Sequence, residues 1–160
     1  VVYPVQLNLM NKNIVIIGGG TIAYRKAKNI LKENPQSLTI ISKKFLPEFF
    51  ELEHHNFKLI TKCYDKHDIQ HADLVIAATN HQSINNQIKD DAKSTQWVNH
   101  CGDKAQSDFF NMLEITYENI KINFRSEGQD YNKMKKMAQA VERFLTEFYE
   151  EENSCQNKNL

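Results

Sequence analysis

NIVIIGGGTIAYRKAKNILK, residues 13–32, contains a strand, a glycine turn and a helix in unbroken succession. Ile14, Val15, Ile16 and Ile17 form a continuous β-branched apolar run, which suits a central parallel strand covered on both faces. Gly18, Gly19 and Gly20 end it. From Thr21 onward Ile22, Ala23, Ala27, Ile30 and Leu31 recur at helical spacing, with Arg25, Lys26, Lys28 and Lys32 largely on the other side. The first amides of such a helix have no internal partner and face the space beyond the strand, where a pyrophosphate accepts them. The spacing Gly18-x-Gly20-x-x-Ala23 supplies a tight turn, a close backbone approach and a small residue for packing helix on sheet. The stretch reads as a dinucleotide cradle. Flavin proteins, methyltransferases and purely structural turns use similar loops, so its context has to narrow the choice.

Outward from the cradle, strands and helices alternate. Tyr3 to Leu9 alternates apolar and polar residues and reads as a short strand or edge segment before a turn at Asn11-Lys12-Asn13. After Asn34-Pro35-Gln36, the run Ser37 to Ser42 gives a second strand. A carboxylate at its end, about 20 residues past the glycines, would hold the ribose hydroxyls of NAD. Ser42, Lys43 and Lys44 stand there instead. They either tolerate a 2′-phosphate, which leaves NADP open, or form a solvated lysine pair at a strand end. Pro47 opens a helix through Glu53, Phe57 to Ile60 is a further strand, and Tyr64 to His71 a polar helical turn. His67 and His71 are four apart, but their segment lacks an apolar face to fix a metal, and His54-His55 diverge; no metal is expected. Asp73 to Ala78 is a buried strand that delivers Thr79-Asn80 to the same sheet edge as the glycines. Ser83 is read as the cap of a helix carrying Ile84, Ile88 and Ala92, and Trp97-Val98-Asn99 starts another strand. The expected class is α/β, a Rossmann-type doubly wound parallel sheet.

Past Asp108 the pattern changes. Leu113, Ile115 and Tyr117, then Ile120, Ile122 and Phe124, alternate around Glu118-Asn119, describing a small antiparallel strand pair. A C-terminal amphipathic helix follows from Tyr131 to about Glu150, striped by Met134, Met137, Ala138, Val141, Phe144, Leu145 and Phe148. So large an apolar face calls for a homodimer contact, the alternative being the chain's own sheet. The expected organisation is a dinucleotide-binding domain over residues 1–112, dimerisation strands and helix over 113–150, and a disordered polar tail over 151–160.

The 20 basic and 20 acidic residues cancel, which argues against a general nucleic-acid or anionic-membrane binder. Cys63, Cys101 and Cys155 are widely separated, without a C-x-x-C, and read as reduced thiols. Without a signal-peptide layout or a membrane-length apolar run, a cytoplasmic location is expected.

Several segments together resemble one family. They are Tyr3-Pro4-Val5, the run Gly18 to Ala27 (GGGTIAYRKA), Leu74 to Asn80 (LVIAATN), Asn85, and Val98-Asn99 followed ten residues later by Phe109. The chain resembles the precorrin-2 dehydrogenases of sirohaem synthesis, the SirC-like and sirohaem-synthase N-terminal type, from about Tyr3 to Phe148. The resemblance implies oxidation of precorrin-2 to sirohydrochlorin with NAD, a tetrapyrrole substrate, a dimer and, in some members, ferrochelation. It places Thr21, Ile22, Lys43, Lys44, Thr79 and Asn80 around the cofactor, joining Gly18, Gly19, Gly20 and Ser42 from the reading of the glycine loop and the second strand's end. Removing a hydride and a proton calls for a base within hydrogen-bond reach. The family commonly has an aspartate three residues after the Val-Asn pair. Here Gly102 stands in that place, with Asp103 beside it as one candidate and His100 as another, histidine being the side chain that titrates near neutral pH. The family's S-x-G-G-x-S-P segment becomes Ser126 to Asn132, retaining Ser126 and Gly128, which with Arg125 are the substrate-lining candidates. The departures at Gly102 and after Gly128 favour the alternative of a dinucleotide-binding homologue without turnover, acting as a sensor or partner subunit.

Overall fold

The computed structural model describes residues 3–126 and 130–156, with side chains as far as Tyr149. The chain forms two compact units, Val1–Phe110 and Asn111–Leu160.

The first unit is a five-stranded parallel sheet built from β1 (Asn13–Ile17), β2 (Ser37–Ser42), β3 (Phe57–Thr61), β4 (Leu74–Ala77) and β5 (Trp97–His100). The order is β3-β2-β1-β4-β5, so the crossover direction reverses between β1 and β4. Helix α1 (Thr21–Leu31) follows β1, and α2 (Gln82–Asp91) follows β4. Strand β1 shows why a continuous apolar run was needed. Ile14 and Ile16 belong to one buried cluster with Ala23, Ala27 and Ile30 of α1, while Val15 and Ile17 belong to another with Ile88 of α2 and Val98 of β5. Alternate residues of one strand thus serve two cores. Each fully buried Ile or Val contributes about 1.5–3 kcal/mol relative to exposure. Register fixes the carboxyl edge as well, Ile17 lying beside Ile41 of β2 and Ala77 of β4.

Several local expectations are corrected. Residues 3–9 form no strand; Tyr3, Val5 and Leu7 are exposed, and only Leu9 packs against the core. Nothing in the alternation of that segment supplies a neighbouring strand to pair with. The expected helix after Pro47 is a 3₁₀ turn, Pro47–Glu51, anchored by fully buried Phe49. The polar segment 64–71 contracts to a 3₁₀ turn, Lys66–Ile69, closed by a capping box of Asp65 and Asp68. Ser83 is not the cap of α2. His81 occupies that position without a side-chain bond, and the turn before it is held from inside the helix.

In the second unit β6 (Leu113–Tyr117) and β7 (Ile120–Phe124) form the antiparallel pair, turning at Glu118 with φ 51°. Helix α3 (Tyr131–Gln156) packs on β6 through a face that includes buried Ala138 and half-buried Met134, Val141, Leu145 and Tyr149, the last stacked on Tyr117. Met137, Phe144 and Phe148 remain exposed along its edge. The helix continues to Gln156, where a disordered tail from residue 151 was expected; glutamate and glutamine are good helix formers. No helix among the described residues is long and apolar enough to cross a membrane.

Candidate functional site

The three glycines divide the work of the turn. Gly18 has φ 134°, and a Cβ there would strike the carbonyl oxygen of Ala78 and lie 3.2 Å from the Thr79 nitrogen. Its amide donates to Ile41 O at 2.9 Å, while Ala78 N donates to Ile17 O at 2.8 Å, so the end of β1 is sewn to both neighbours. A Cβ at Gly19 would strike the Lys44 carbonyl and sit 2.8 Å from Ser42 Oγ. At Gly20 no heavy atom lies within 4 Å of a Cβ, so that face opens outward. Gly20 is the N-cap of α1, without a side-chain cap and without an acidic residue in the first turn. Ala23 is fully buried where the helix meets the sheet, and Thr21 and Ile22 are exposed in the uncapped first turn. Uncapped amides, the positive end of a helix and unfilled space at Gly20 fit a diphosphate.

At the end of β2, Ser42 Oγ donates to Lys44 O at 2.7 Å, which folds the loop so that the Lys44 carbonyl meets Gly19. Leu46 N donates to Gly19 O at 3.0 Å and completes the lip. The side chains of Lys43 and Lys44 are exposed there.

At the end of β4 the turn is held by Asn85, a residue of α2 only 2 % exposed. Its Oδ1 accepts from Thr79 N at 3.0 Å and from Thr79 Oγ1 at 2.7 Å, and its Nδ2 donates to Thr79 O at 3.0 Å. Thr79 is thereby committed to shaping the edge, and exposed Asn80 is carried out beside the glycines. Asn85 entered the sequence reading only through the resemblance. The usable signal was an amide on the buried face of a helix otherwise striped by Ile84, Ile88 and Ala92.

The two candidate bases are both spent on structure. His100 is 2 % exposed, and its Nδ1 accepts from the amides of Gly102 at 3.2 Å and Asp103 at 2.9 Å. Backbone amides only donate, so Nδ1 carries no proton and Nε2–H donates to Asn86 Oδ1 at 3.0 Å. No lone pair remains to take a substrate proton. Asp103 caps the 3₁₀ turn Lys104–Gln106: Oδ1 accepts from Ala105 N at 2.9 Å and Oδ2 from Gln106 Nε2 at 3.1 Å. The Ala105 amide foremost, and the Gln106 amide after it, hold the Asp103 carboxyl below the usual carboxylate range. That makes it a weaker base. Gly102 itself is exposed, and a Cβ there would point at the end of the Gln82 side chain, 2.6 Å from Oε1.

The return from this turn is a strap along β5. Asp108 N donates to Val98 O at 2.7 Å and Asn99 Nδ2 to Phe109 O at 2.8 Å, with Asp108 also paired to Lys89 at 2.8 Å. Lys26, read from the sequence as lying on the solvent side of α1, is half-buried. Burial lowers its pKa, against an opposing influence from nearby Cys101, and burial pushes the Cys101 thiol up.

The glycine loop, Ser42 to Lys44 and Thr79-Asn80 thus share one edge of the first unit. Arg125 is exposed and Ser126 half-buried after β7 in the second unit; Gly128 lies outside the described residues. Among the described residues no group of three or more His, Cys, Asp or Glu side chains is placed to hold a metal.

Residues 5–112 match the family model described as "Putative NAD(P)-binding". The precorrin-2 dehydrogenase of Bacillus subtilis is 26 % identical over 143 residues, covering 89 % of this chain and 88 % of that protein. The siroheme synthase of Mannheimia succiniciproducens is 33 % identical over 128 residues, or 79 % of this chain, which spans only 27 % of that longer protein. The solved structure of SirC, a precorrin-2 dehydrogenase, shares the fold with a TM-score of 0.78 at 23 % identity, over 88 % of this chain and 69 % of that one. With this glycine loop at the switch between β1 and β4, the chain belongs to the NAD(P)-binding family, and the relatives it resembles there are the SirC-like precorrin-2 dehydrogenases and sirohaem synthases.

Proposed function

We propose that this protein oxidises precorrin-2 to sirohydrochlorin in sirohaem biosynthesis, with a nicotinamide dinucleotide, NAD by the resemblance, as the acceptor. The observation that carries the reading is the open face of Gly20 at an uncapped helix terminus, between the carboxyl ends of β1 and β4. The bound dinucleotide supplies the hydride acceptor. In this reading the amides that begin α1 bind its diphosphate, and Gly20 leaves room for it. Thr79, held by Asn85, sets the height of the edge, and Asn80 borders the cofactor. By the resemblance, Arg125 and Ser126 of the second unit are the residues assigned to the tetrapyrrole. A second copy of the chain covers Met137, Phe144 and Phe148.

Anaerobic incubation with precorrin-2 and NAD or NADP tests the reading. It expects sirohydrochlorin absorbance to rise with an equal amount of reduced dinucleotide. A second reading, a dinucleotide-binding homologue without turnover that serves as a sensor or partner subunit, is favoured by Gly102 and by the commitment of His100 and Asp103 to the turn. Dinucleotide binding without sirohydrochlorin formation would establish it in place of the first.

A further inference from the structure

We infer that Gln82, the first residue of α2, recognises the carboxamide of the nicotinamide ring, its side-chain oxygen accepting a hydrogen bond from the carboxamide N–H. The inference rests on the dinucleotide reading above and adds a residue to it. A chain of donors turns the Gln82 amide. Gly102 and Asp103 donate their backbone amides to His100 Nδ1, which leaves the imidazole proton on Nε2, 3.0 Å from Asn86 Oδ1. Asn86 therefore presents its oxygen to this cluster, and only donors suit the rest of that oxygen's surroundings. Gln82 and Gln106 each bring Nε2 to it at 3.4 Å. With its nitrogen drawn to Asn86, Gln82 has its oxygen on the other side, 2.6 Å from where a Cβ on Gly102 would stand. The bare glycine makes that room. Among the described residues none donates to this oxygen. Gln82 and Gly102 are both exposed, so a ligand at the edge can reach it.

Sheet order says which end of the ligand arrives there. With the diphosphate at the switch between β1 and β4, the adenosine half belongs at the end of β2, where the ribose is read, and the nicotinamide half toward β4 and β5. Gln82 opens the helix after β4, and Gly102 follows the end of β5. The carboxamide is the part of the nicotinamide ring that carries N–H donors. An amide oxygen with unmet lone pairs, beside a residue without a side chain, is complementary to it.

Calorimetric titration of the whole protein with NADH and with its acetylpyridine analogue, in which a methyl ketone replaces the carboxamide, tests this. NADH should bind about three- to tenfold more tightly, in keeping with one hydrogen bond between neutral groups. Gln82→Met keeps the length of the side chain without its oxygen. It should weaken NADH by about the same factor and leave the analogue within about twofold, so that the two ligands become equal. A purely structural role would weaken both alike, and thermal melting checks that the variant is folded. Equal affinities in the parent, an equal loss of both ligands in the variant, or a variant that binds both as the parent does would overturn the inference and leave the dehydrogenase reading standing. Among these, unchanged titrations with a raised KM for precorrin-2 would assign the oxygen to an N–H of the substrate instead. Absence of NADH binding to the parent would overturn the inference together with the NAD reading.

Discussion

The amide of Asp103 donates to Nδ1 of His100 at 2.9 Å, which joins the two candidate bases in a single turn. The bond settles the tautomer of the imidazole. Together with the contact from Asn86, it makes the ring a buried strut between the loop after β5 and helix α2. Its loss should be felt first in stability.

For His100→Ala we expect a loss of about 2–4 kcal/mol, since the Gly102 and Asp103 amides lose their acceptor and a cavity opens beneath them. Urea denaturation measures it. A variant as stable as the parent would remove the strut interpretation.

Asp103 makes its contribution through a depressed carboxyl pKa. Its folded value lies below the unfolded one, so its contribution is fully present above about pH 4 and is lost as the pH falls from there through the folded value. Asp103→Asn should flatten part of the acid limb of a stability-against-pH curve. The same variant should leave turnover at neutral pH within about threefold, against the 10²–10⁴-fold loss expected on removing a general base.

Gly18 and Gly20 should respond in opposite ways to one added methyl. Gly18→Ala forces φ 134° on a residue with a Cβ and drives that atom into the Ala78 carbonyl. A loss of about 2–5 kcal/mol is expected. Gly20→Ala sits in extended backbone, φ −93° and ψ −172°, with open space before it. Its stability should change by less than about 1 kcal/mol while dinucleotide affinity falls about tenfold or more. Paired melts and titrations read both.

If proton removal limits the reaction, Gly102→Asp should raise sirohydrochlorin formation by about tenfold or more. The position is exposed, and the group a new side chain meets is the movable end of Gln82. Unchanged turnover in a folded variant would place the bottleneck elsewhere.

A dimer formed through the open edge of α3 should be sensitive to charge there. Phe144 is 61 % and Phe148 45 % exposed, so glutamate at either position costs the isolated subunit little. Light scattering should show dimer for the parent and monomer for Phe144→Glu/Phe148→Glu.

Much of this arrangement is written in local pattern. The β-branched run before Gly18 had to be a strand covered on two faces, and the alternation around Glu118-Asn119 had to be a hairpin, because residue period and turn chemistry decide both. The edge carrying Gly18 to Gly20, Lys43-Lys44 and Thr79-Asn80 follows from strand direction alone. The misread positions depend on partners distant in sequence. Residues 3–9 alternate like a strand but pair with no neighbouring strand. Lys26 looks solvent-facing on a helical wheel yet lies by Cys101, across the fold. His100 and Asp103 carry chemistry-bearing side chains, but their availability was decided by amides and by Asn86 and Gln106, which no motif marks.

The contact of Gly18 with the Ala78–Thr79 peptide has a mechanical consequence. The two lips of the crevice meet at their root, where Ala78 N donates to Ile17 O at 2.8 Å, so main-chain bonds of the β1–β4 pair set their spacing. On the dinucleotide reading, spacing set by backbone bonds rather than by side chains leaves less of the main chain to be ordered on association.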